Sequence, residues 1–208
     1  MDKKLAQQSC ADFTALLASS APTPGGGGAA ALMGALSAAL CAMAANLSRD
    51  KKRCAPWSAS LTEIAERAEL LRLQQLGQID ADAEAFAPLA RAYRLPKDSP
   101  EAAVEKERAT RGACEPPLAM LRLCVQTVPL LERLLEQASP LLLSDVGCAA
   151  AACRAALDCA AMNLWVNTAS LPPSLAEALD RECTEAREDA LPRIEAVLTA
   201  VMEKLVKR

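Results

Sequence analysis

The run Pro24-Gly25-Gly26-Gly27-Gly28-Ala29-Ala30-Ala31-Leu32-Met33-Gly34-Ala35-Leu36-Ser37-Ala38-Ala39-Leu40 decides the fold class. A proline and four glycines end whatever precedes them, because proline lacks a backbone donor and glycine adopts angles closed to other residues. The residues that follow are mostly alanine and leucine, which are strong helix formers. No charge interrupts the stretch from Ala29 to Leu47. Small residues at Ala31, Gly34, Ala35, Ala38, Ala39 and Ala42 would let neighbouring helices approach closely. The stretch is also about as long as a membrane-spanning helix, with Arg49, Lys51, Lys52 and Arg53 just beyond it. Alanine is only weakly hydrophobic, and the core helix of a bundle explains the same residues, so no membrane association is expected.

The rest of the chain has the same bias. Hydrophobic residues make up 52% of the 208 positions and aromatics only 2%, so the apolar content is alanine and leucine rather than strand formers. This predicts an all-α antiparallel multi-helix bundle, one domain over residues 1–208. The net charge of -3 lacks the basic footprint of a nucleic-acid partner, and the short run Lys51-Lys52-Arg53 reads as a solvated loop. Nine cysteines occur without a C-x-x-C pair and without any histidine, so no metal site is expected. Irregularly spaced in helical stretches, they read as reduced core residues of a cytoplasmic protein. Met1 to Cys10 lacks the basic-then-apolar order of a secretory signal.

Helix limits follow from local signals. A first helix is predicted over about Lys4 to Ser19 and a second from near Gly28 to Leu47. Ser60 with Glu63 reads as a capping box for a third, reaching about Tyr93 with Pro88 bending it. Ser99 caps a fourth, and Pro116-Pro117 separate it from a fifth that Pro129 kinks. A sixth runs from about Asp145 to Thr168. Ser174 with Glu177 opens the final helices, kinked at Pro192.

Four groups of residues could carry chemistry. Gly25 to Gly28 place unpaired N–H groups at the positive start of a helix, suited to an anion or a carbonyl, or they form only a flexible connection. Asp82 shares a helix side with Ile79 and Phe86, where a carboxylate needs a partner or a task; Asp80 and Glu84 fall further round, in solvent. Ser144-Asp145-Val146-Gly147 opens a helix, and either Ser144 or Asp145 suits an N-cap. Asn163 and Asn167, one turn apart on an alanine face, could hold a heterocycle or bridge to neighbouring backbone.

Taken in order, Ala21-Pro22-Thr23-Pro24-Gly25-Gly26-Gly27-Gly28, Ile79-Asp80-Ala81-Asp82-Ala83-Glu84-Ala85-Phe86, Arg94-Leu95-Pro96-Lys97, Ser144-Asp145-Val146-Gly147 and the Asn163–Asn167 segment resemble the cyclodeaminase/cyclohydrolase family. That family comprises the C-terminal domain of formiminotransferase-cyclodeaminase and stand-alone relatives, including methenyltetrahydrofolate cyclohydrolases. The resemblance implies a helical subunit that forms a homodimer, binds a tetrahydrofolate derivative as substrate and needs no cofactor. It implies hydrolysis of 5,10-methenyltetrahydrofolate to 10-formyltetrahydrofolate. The alternatives are cyclodeamination of 5-formiminotetrahydrofolate with loss of ammonia, and a non-catalytic ligand-binding bundle. Asp82 is then the leading proton carrier, with Asp145 second. Lys97 would steer the glutamate tail or move a proton, Gly25 to Gly28 would contact the folate, and Asn163 and Asn167 would orient its heterocycle. Gly28, Cys159 and Trp165 depart from the residues common at those places in the family.

Overall fold

The computed structural model describes residues 4–95 and 100–207, and Lys97 and Ser99 lie outside them. Among the described residues six helices follow one another: α1 Cys10–Leu17, α2 Gly26–Arg49, α3 Ser58–Ala92, α4 Pro100–Gln137, α5 Leu143–Thr168 and α6 Pro173–Val206. Short 3-10 turns at Leu5–Gln7, Lys52–Trp57 and Pro140–Leu142 precede α1, α3 and α5. Among the described residues there is no strand.

Contacts along the series from α2 to α6 fix an antiparallel order. Gly27 and Gly34 on α2 meet Asp82 and Gln75 on α3. Gln75 Nε2 donates to Met120 O on α4 at 3.1 Å, and Asn167 on α5 donates to Ala113 O. Arg187 on α6 reaches back to Asp158 on α5 at 2.7 Å. Each helix from α3 onward therefore runs against its predecessor, and α5 also runs against α2, where Ser37 Oγ donates to Ala149 O at 2.8 Å. The small residues of α2 do what their size permits. Ala31, Ala35, Ala38 and Ala42 are buried, and a Cβ on Gly34 would stand 2.6 Å from the Gln75 amide.

α2 and Pro140–Thr168 are each long and apolar enough to cross a membrane, with mean hydropathy 1.8 and 1.4. In α2, 61% of the most apolar window is buried within the bundle, as a core helix requires. All nine cysteines are unpaired, and six are buried. Burial pushes the Cys114 thiol up to about 11, so it behaves as a small apolar group.

Several predicted boundaries move. Ser9, not Lys4, opens α1, its Oγ accepting from Asp12 N at 3.1 Å. Ser60 is no cap, since α3 already begins at Ser58; its hydroxyl donates to Gln137 Oε1 at 2.5 Å. Ser174 sits inside a helix that starts at Pro173, and Ser144 inside one that starts at Leu143. The predicted fourth and fifth helices are the single α4, and the final helices are the single α6. Proline removes a helical hydrogen bond, but packing on both sides holds α4 together, and one freed carbonyl finds another donor. Asp80 is not free in solvent: its Oδ1 accepts from Leu5 N at 2.8 Å and ties the N-terminal turn to α3.

Candidate active site

The start of α2 is unusual for a helix end. Gly25 at its N-cap offers no side chain to receive the first free N–H groups. Asp82, reaching across from α3, supplies what is missing by accepting from Gly28 N–H. That is the bond an N-cap aspartate would make, delivered here from another helix. It needs a bare backbone. A Cβ on Gly27 would lie 2.1 Å from Asp82 Oδ1. Burial pushes the Asp82 carboxyl above its usual range, and the Gly28 N–H pulls it part of the way back.

α5 closes the other side. A Cβ on Gly26 would stand 3.3 Å from both Asn163 amide atoms, so successive glycines face Asn163 and Asp82. Between them opens a cavity of about 230 Å³, lined by Gly25, Gly26, Gly27, Asp82, Asn163 and Asn167. Pro22, Thr23, Phe86, Leu89, Ala113 and Val166 complete it. A carboxylate with a raised protonation range, free amide edges and helix-start N–H groups thus share one small chamber with an apolar wall. A carboxyl shifted in this direction is better matched to proton transfer than a free one.

Two predicted site residues stand elsewhere, and a third is not among the described residues. Gly28 does not line the cavity; it is buried behind it with its N–H on Asp82. Asp145 is in the first turn of α5, where its charge suits the helix dipole. The Asn163 end of α5 is about 27 Å further along at 1.5 Å per residue, so one chain does not bring Asp145 to the Asp82 cavity. Lys97 lies outside the described residues. A roomier cavity of about 480 Å³ at the opposite end, with Arg53, Trp57, Lys204 and Lys207, contains none of the predicted site residues.

The residue pattern of the family described as formiminotransferase-cyclodeaminase matches residues 9–185, most of the chain. The chain belongs to this family. A methenyltetrahydrofolate cyclohydrolase of Methylorubrum extorquens is 38% identical over 193 residues, covering 91% of this chain and 89% of that protein. The formimidoyltransferase-cyclodeaminase of Rattus norvegicus is 28% identical over 80% of this chain, which spans only 31% of the rat protein. Among solved structures, a formiminotetrahydrofolate cyclodeaminase of Thermotoga maritima superposes with a TM-score of 0.84 at 28% identity, covering 98% of each chain.

Two departures of this family member from the common residues have visible places. Trp165 is turned from the cavity, and the Arg187 guanidinium lies 5.1 Å from its ring centroid. Cys159 contributes its carbonyl, which accepts from Asn163 Nδ2 at 2.8 Å. The sequence reading missed Ala113. Pro117, four residues after it, announces an open carbonyl there, but the sequence does not say which donor fills it.

Proposed function

We propose that this chain is a folate enzyme of one-carbon metabolism that hydrolyses 5,10-methenyltetrahydrofolate to 10-formyltetrahydrofolate. The observation that carries this reading is the Asp82 carboxylate, held above its usual protonation range beside the glycine start of α2 and within one cavity with Asn163 and Asn167. The 38% identical relative named as a cyclohydrolase, matched over 89% of its length, supports the reaction.

The methenyl carbon lies between N5 and N10 in a cation. Ionised Asp82 stabilises that charge and offsets the like polarity of the α2 start. Water adds to the carbon, and Asp82 takes the proton that the water loses. The product is a neutral carbinolamine. Asp82 then returns the proton to N5 as the carbon–N5 bond opens, and accepts the hydroxyl proton as the formyl C=O forms on N10. Release of that proton to solvent restores the carboxylate, so one water enters and one proton leaves. Water and a single carboxylate suffice for this balance, and no cofactor is invoked.

The second reading is cyclodeamination, favoured by the family description and by the Thermotoga structure. There N10 adds to the formimino carbon and ammonia leaves, with Asp82 moving the proton. Purified protein separates the readings. Loss of methenyl absorbance without ammonia from 5-formiminotetrahydrofolate is the expected result. Ammonia release from the latter gives the second reading. Binding of both folates with turnover of neither marks a non-catalytic bundle and sinks both.

The same proposal includes a cytoplasmic protein, folded as one domain over residues 1–208, that works as a homodimer with neither membrane nor nucleic acid as partner. An unpartnered apolar face supports the dimer. On α2, Leu36, Met43 and Leu47 are 52%, 37% and 51% exposed, and their spacing of seven and four residues puts them on one side, as in a packing seam. The adjoining α5 exposes Met162 and Val166. A second copy of this chain would cover residues that water does not favour.

A further inference from the structure

Asn163 and Asn167 line the cavity with one amide hydrogen each already committed to backbone. Asn163 Nδ2 donates to Cys159 O and Asn167 Nδ2 to Ala113 O, both at 2.8 Å. The second bond originates in α4. Ala113's carbonyl would ordinarily accept from the N–H four residues on, but residue 117 is proline. Pro117 leaves the carbonyl open, and Asn167 closes it from the next helix. A buried carbonyl without a donor is costly, so this bond pins the amide and sets the way it faces. Among the described residues, no hydrogen bond reaches Oδ1 of either asparagine. Gly26 leaves the space in which the Asn163 amide sits.

The α5 wall therefore presents two amide oxygens, each with one N–H left beside it. We infer that Asn163 and Asn167 read a donor-bearing edge of the bound heterocycle, and that Pro117 is the positioning residue that aims Asn167. The inference rests on the folate reading above, which makes that edge the pyrimidinone side of the pterin. There the 2-amino group and N3–H are adjacent donors, and N1 beside the amino group is an acceptor for the remaining amide N–H. Asp82, on the α3 side of the glycines, is left to the one-carbon end of the ligand.

The test uses two fluorescent probes, pterin-6-carboxylate and lumazine-6-carboxylate. The second replaces the 2-amino donor by a carbonyl acceptor. A site built to pair a donor rejects its replacement. Titration of the wild-type chain is expected to give at least about tenfold tighter binding of the pterin acid, about 1.4 kcal/mol. Asn167→Ala alone also strips the donor from Ala113's carbonyl. It is therefore paired with Pro117→Ala, which returns a backbone N–H to that carbonyl. The double variant is expected to melt near the wild type yet discriminate by less than about threefold. Pro117→Ala alone is expected to keep its fold and lose part of the preference. If Asn167 serves only to close the carbonyl, the double variant keeps the full preference, and the inference falls. Equal binding of the probes by wild type, or no binding of either, also overturns it. Absence of methenyltetrahydrofolate turnover with the preference intact would instead remove the reaction proposed above and leave this inference standing.

Discussion

Asp82 and Gly27 are in contact because residue 27 has no side chain, and the chemistry proposed for the cavity depends on that closeness. Gly27→Ala is expected to drive the carboxylate off the α2 start, lowering turnover at least tenfold by the usual worth of a positioned acid–base group, about 10²–10⁴. Asp82→Asn keeps an oxygen for Gly28 N–H and should fold, but turnover with methenyltetrahydrofolate should drop by about the same 10²–10⁴. In the wild-type chain, Asp82 gives stability a pH dependence of definite sign. Burial raises the native carboxyl above its unfolded value, so between those two values the folded chain holds more protons than the unfolded chain. Stability is then present below the unfolded value and is lost as pH rises through the folded one. The amide does not titrate. The melting midpoint of Asp82→Asn minus that of wild type should therefore become more positive from pH 3 to pH 8. A difference that shrinks with pH would mean that the Gly28 hydrogen bond, not burial, dominates.

Between elements, α2 and α3 also approach closely at Gly34 and Gln75. Gln75 is fully buried, and Gly34 is the hole that its amide fills. Gly34→Ala should cost about 1–3 kcal/mol through overpacking, read as a lower melting midpoint. Gln75→Ala in the same chain should recover part of that loss, because the two residues share one contact. A fully additive pair would show that the helices can part without cost. Elements were legible where propensity and packing agree, as in α2 and α5. They were misread where a local signal had a tertiary use. Ser60 looks like a cap but joins Gln137 on α4, and Pro116-Pro117 look like a break but lie within a helix clamped by its neighbours.

Across the whole molecule, the site gathers at one end of the bundle, where the start of α2 meets the later turns of α3 and α5. Asp145 belongs to the other end, a separation that the sequence order of its motif conceals. The exposed seam on α2 carries the assembly prediction. Light scattering should give twice the chain mass for wild type and the single mass for a Leu36→Glu, Leu47→Glu double variant. A monomeric wild type at micromolar concentration would refute the dimer.

The sequence by itself determined the helical class, the core role of α2 and the placing of Asp82 on the Ile79–Phe86 side of its helix, because alanine-leucine composition, glycine placement and three- and four-residue spacing act within a single segment. It also carried the family likeness. Only the tertiary structure decided that Gly27 receives Asp82, that the Gly28 N–H goes to Asp82 from behind the cavity, and that Asn167 answers the carbonyl freed by Pro117. Those pairings join residues dozens of positions apart, and their distances are set by how helices cross, which no local propensity encodes.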